Sequence, residues 1–115
     1  MTYKIPDYEL LKEMSAEELF EEGIRAINGD ADDLDYHVCF VMCLDKGGNA
    51  VMSAVCNGNI VRGYIKLGQW EAARDFNNSA LAMSRVYRHD FIEQFVPRWL
   101  EDYETILKNF ADNCE

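Results

Sequence analysis

The chain has 115 residues, 49% of them hydrophobic and 28% charged, and carries a formal charge of −10 from 21 acids and 11 bases. That composition describes one globular domain with a core large enough to need no metal or disulfide staples. It excludes disordered and collagenous classes. The charge opposes direct binding to nucleic acid, whose phosphates it repels. No apolar run approaches the roughly 18 residues that span a bilayer. Met1-Thr2-Tyr3-Lys4 lacks the layout of a signal peptide, which leads to the expectation of a soluble cytoplasmic protein without membrane contact.

Tyr8, Leu10, Leu11 and Met14 form a short apolar-acidic lead-in after Pro6. Ser15-Ala16-Glu17-Glu18 reads as a capping box, in which the serine oxygen takes an amide proton and the glutamate reaches back. Leu19, Phe20, Gly23, Ile24, Ala26 and Ile27 then recur at helical spacing until Asn28-Gly29-Asp30 stops them. Glu17, Glu18, Glu21 and Glu22 are expected to form its solvated face. Asp32 or Asp33 caps a second helix running to about Leu44, nearly all apolar and therefore buried on most sides. Val38, Phe40 and Val41 leave a buried strand as the alternative there.

Residues 50–67 are a third periodic stretch, with Asn57-Gly58-Asn59 as its weak point. Gly68-Gln69 turns the chain, and Trp70 to about Arg85 is the fourth helix. Asp90-Phe91-Ile92-Glu93 resembles a capping start for a last helix over 90–112. Pro97 should kink or restart it, because proline lacks the amide proton and crowds the preceding turn. The whole reads as a single all-α domain.

Cys39, Cys43, Cys56 and Cys114 are expected as free, buried thiols in an intracellular setting. Cys39 and Cys43 share a helical face near His37, but their run is apolar throughout and the spacing is not a zinc knuckle. Packing is therefore favoured over metal binding.

Residues 60–81 carry the most information. Ile60 is followed at intervals of four by Tyr64 and Gly68, then by Trp70, Ala73, Ala80 and Leu81. Glycine permits a sharp turn between antiparallel helices, and the alanines are small where two helices approach. The pattern resembles the tetratricopeptide repeat, a helix-turn-helix unit. The better repeat spans about 54–87; a degenerate one, through Leu19, Gly23, Ala26, Gly29 and Leu34, spans about 15–48. The family's later aromatic falls on Asn77 and its closing proline on Arg85. The resemblance makes 90–112 a capping helix over the end of the stack.

Charge is unevenly distributed. Residues 1–45 hold twelve acids and three bases, residues 46–100 four acids and seven bases, and residues 101–115 five acids and one base. The middle is a basic island. The resemblance implies that the first helix of each repeat lines a concave groove for extended peptides or helices. Arg62 and Lys66 would stand there on one face, joined by Asn59, with Arg25 as the only cation on the first helix of the degenerate repeat. The lysine-asparagine-lysine-arginine clamp of chaperone-binding relatives is not reproduced, so a chaperone tail is not expected as ligand.

Catalytic signatures are weak. His37 sits in the most apolar run, and His89 is expected at a helix C-terminus, where a cation is favoured. There is no phosphate loop and no nucleophile elbow. Asp30, Asp32, Asp33 and Asp35 lack the glycine and closing glutamate of a calcium loop. The expectation is a non-enzymatic adapter or chaperone-like module without cofactor, binding a peptide or helix of a partner protein. Two other readings stay open. One is an acidic decoy, of phage or mobile-element type, that presents Glu17–Glu22 and Asp30–Asp35 to the basic cleft of a nucleic-acid-binding enzyme. The other is a homodimeric subunit joined through Phe91, Phe95, Trp99 and Phe110.

Overall fold

The structure, a computed structural model, describes residues 3–113. Among them are eight helical segments and no strand: α1 (Tyr8–Leu11), α2 (Ala16–Asn28), α3 (Asp33–Lys46), α4 (Ala50–Asn59), α5 (Val61–Lys66), α6 (Trp70–Val86), α7 (Asp90–Glu93) and α8 (Val96–Asn113). The architecture is all-α, and none of the described helices is long and apolar enough to cross a membrane.

Local chemistry sets most of the boundaries. Ser15 and Glu18 close the capping box on α2: Glu18 N–H donates to Ser15 Oγ at 3.2 Å, and Ser15 N–H donates to Glu18 Oε1 at 3.0 Å. Asp32 caps α3 by accepting from Leu34 N–H at 3.0 Å. Asn49 caps α4 in the same way, accepting from Met52 N–H at 2.9 Å. Gly68 takes the left-handed conformation, with φ 74°, that turns α5 back into α6.

Two boundaries differ from the sequence expectation, and a third follows it. The stretch 50–67 is two helices, broken at Ile60, one residue after the suspected weak point. The last helix restarts at Val96, as Pro97 requires: the proline lies in the first turn of α8, where an amide proton has no helical acceptor. His89 begins α7 rather than ending a helix, because its Nδ1 accepts from Phe91 N–H at 3.1 Å.

The main packing runs α2 on α3, α3 on α4 and α5, these on α6, and α6 on α8. The result is a stack of helix pairs, compatible with a helical repeat. The core is built from Leu19, Tyr36, Phe40, Val55, Ile60, Ile92 and Trp99, all essentially inaccessible to solvent. Two close approaches lock it. A Cβ on Gly58 would stand 2.0 Å from the Trp99 ring, and one on Gly63 would stand 2.2 Å from His37. Helices meet there at distances that only a bare backbone allows.

The α2 acidic face is narrower than expected. Glu22 lies on the inward stripe with Leu19 and Ala26 and is buried. Tyr3 O–H donates to both its oxygens, at 2.6 and 2.7 Å. Cys39, Cys43 and Cys56 are free and buried, while Cys114 lies outside the described residues.

Candidate protein-binding surface

Arg62 and Lys66 come together in a groove of about 590 Å³ between the start of α3, α5 and α8. Both already have partners. Arg62 Nε donates to Asp102 at 2.8 Å, and its Nη2 reaches Glu101 at 3.4 Å. Lys66 Nζ donates to Asp32 at 2.8 Å, tying α5 to the cap of α3. With Asp33, Glu101 and Asp102 in the lining, carboxylates outnumber cations there. Burial pushes the Asp102 carboxyl above its ordinary range, although Arg62 beside it pulls the other way. Alongside, Tyr36 O–H donates to Asp33 at 2.6 Å and accepts from Arg98 Nη2. Arg62 therefore ties α5 to α8, and Lys66 ties it to the start of α3.

Asn59 does not face this groove. It is buried, and its Oδ1 accepts from Trp99 Nε1 at 3.1 Å. Its role is to satisfy an indole N–H that the core removes from water. Arg25 is paired along its own helix, with Glu22 at 3.0 Å and Glu21 at 3.5 Å. It is not part of the groove lining.

The histidine and thiols are bound up in packing. His37 is buried and its Nδ1 lies 2.7 Å from Ile60 O, so Nδ1 carries the proton and donates. Burial holds its pKa below the ordinary 6.5. Burial likewise pushes the Cys39 thiol up to about 12, and the hydrogen bond with Cys43, then burial, raises that of Cys56, so both are protonated at neutral pH. Among the described residues no group of three or more His, Cys, Asp or Glu is placed to hold a metal ion.

A second face carries exposed apolar side chains. On α8, Trp99, Asp102 and Ile106 point inward, and the same spacing shifted by one residue gives an outer stripe of Leu100, Tyr103 and Leu107. These are 49%, 41% and 55% exposed. The stripe borders a trough between α6 and α8, which run antiparallel. One end is a cavity of about 440 Å³ lined by Asn78, Leu81, Arg85, Leu100 and Tyr103. The other, about 340 Å³, adds Arg74, Asn77, Ile106, Leu107 and Phe110. Neither lining contains a carboxylate. The lining is mixed, with Leu81, Leu100, Leu107 and Phe110 beside Arg74, Asn78 and Arg85.

Two of the four aromatics named for a homodimer face are in the core instead. Trp99 is fully buried and Phe95 is 8% exposed, stacked on each other with ring centroids 6.2 Å apart. The register of α8, not its overall apolarity, decides which residues remain outside. No protein-family model, curated protein or solved structure matches the chain.

Proposed function

We propose that the protein is a small cytoplasmic adapter, built from degenerate tetratricopeptide-like helix pairs, that holds a peptide or helix of a partner protein and performs no chemistry itself. The observation that carries this reading is the exposed Leu100, Tyr103 and Leu107 stripe along the α6–α8 trough. Exposing three large apolar side chains side by side costs solubility unless a partner covers them. The repeat assignment is supported by the left-handed Gly68 turn, by Ala73 and Ala80 at complete burial, and by Tyr64 stacked on Phe76 at 5.4 Å. The binding face in this reading is the second helix of the better repeat together with the capping helix, because Arg62 and Lys66 are engaged within the fold.

Affinity capture from source-cell lysate tests this with three baits: wild type, Leu100→Glu/Leu107→Glu, and a surface control such as Glu71→Gln. A protein held by wild type and control and lost by the double variant supports the adapter. A protein held equally by all three but released by salt sinks it in favour of the acidic decoy.

A further inference from the structure

We propose that the α6–α8 trough receives one amphipathic helix, about three turns long, whose apolar stripe is flanked by acidic residues; this rests on the reading above that the trough binds protein. Length and charge come from α6. Arg74 and Arg85 mark the two ends of the trough. They are eleven residues apart, which on a helix is roughly 16 Å, or three turns. Arg85 has no ion-pair partner among the described residues, and Arg74 meets only its neighbour Asp75, at 3.3 Å, while lying over the Phe110 ring. In a chain of formal charge −10, a trough edged by two cations and no carboxylate selects for acid on the incoming segment.

The lining separates a helix from an extended segment. Asn77 is buried, and its Nδ2 donates to Trp99 O at 3.0 Å, which fixes the amide's orientation. Its Oδ1 is enclosed beneath the trough, so an incoming segment meets the side chains of Arg74, Asn78, Leu107 and Phe110 instead. An extended peptide fits less well: Arg74, Asn78 and Arg85 stand one turn or more apart along α6, too sparsely to pair every amide and carbonyl of an extended backbone. A helix satisfies its own backbone and offers the trough only side chains. A second copy of this chain is disfavoured, since each copy carries −10.

The test titrates isotope-labelled full chain with two synthetic helical peptides about three turns long. Both carry leucines at helical spacing. One is flanked by glutamates, the other by lysines. The expected result is saturable shifts of α6 and α8 amides by the glutamate peptide, at least about tenfold tighter than by the lysine peptide. Arg74→Glu/Arg85→Glu should reverse that preference while keeping the helical circular-dichroism signal. Equal affinity, tighter binding of the lysine peptide, binding of neither, or self-association through the same residues overturns the proposal. The adapter reading fails separately, if Leu100→Glu/Leu107→Glu leaves capture of the cellular partner intact.

Discussion

Gly58→Ala sets two sizeable effects of opposite sign against each other. In a helix interior, alanine is favoured over glycine by about 1 kcal/mol. Gly58 lies within α4, so propensity alone predicts a more stable protein. The new Cβ, however, would stand 2.0 Å from Trp99 Cε2 and 2.4 Å from Nε1. Carbon atoms pack at about 3.5 Å or more, so the ring must retreat by roughly 1.5 Å. Trp99 has nowhere to go, being fully buried, stacked on Phe95 and hydrogen-bonded to Asn59. Overpacking costs about 1–3 kcal/mol, and a stranded indole N–H costs about as much again. The net expectation is a loss of about 3 kcal/mol, measured by urea denaturation followed through the helical circular-dichroism signal. Trp99→Leu removes the obstacle, so in that background Gly58→Ala should become neutral or stabilising, giving a coupling energy above about 2 kcal/mol. A Gly58→Ala single variant at least as stable as wild type would refute the α4–α8 packing.

The charged pairs should separate by burial. Arg62→Glu strands buried Asp102 beside two further carboxylates and should cost about 3 kcal/mol or more; Lys66→Glu breaks an exposed pair with Asp32 and should cost less than about 1 kcal/mol. Equal losses in urea denaturation would contradict the placement of Asp102 in the core. His37 predicts the acid side of the stability curve. Its pKa is lower folded than unfolded, so the unfolded chain takes up the proton first. Its contribution is complete above pH 6.5 and is lost as pH falls through the folded value. His37→Asn should flatten that part of the curve; an unchanged slope would show that His37 is not held neutral in the core.

Boundaries written in local chemistry were legible from the sequence. Ser15 with Glu18, Asp32, and Gly68 each act within a few residues of their own position, and the structure places them as that chemistry requires. Partners far apart in the chain were not legible. Arg62 reads as a free groove cation because Asp102 lies 40 residues on, and Glu22 reads as solvated because Tyr3 lies 19 residues back. Helical spacing placed Asn59, Arg62 and Lys66 together but could not show that Asn59 turns inward to Trp99. The trough left one usable signal. α8 carries more apolar residues than a single buried stripe consumes, in two sets offset by one position. Which set faces inward is fixed by the Gly58 and Asn59 contacts to Trp99, and no periodicity reports those.

The central claim is that the α6–α8 face binds a partner protein. The most direct measurement is photo-crosslinking in source cells, with a benzophenone amino acid placed at Tyr103 and, separately, at Glu17 on the exposed side of α2. The account predicts a discrete crosslink to another protein from position 103, lost when Leu100→Glu/Leu107→Glu is added, and none of comparable yield from position 17. A crosslink confined to position 17, or one from 103 only to a second copy of the same chain, would contradict it.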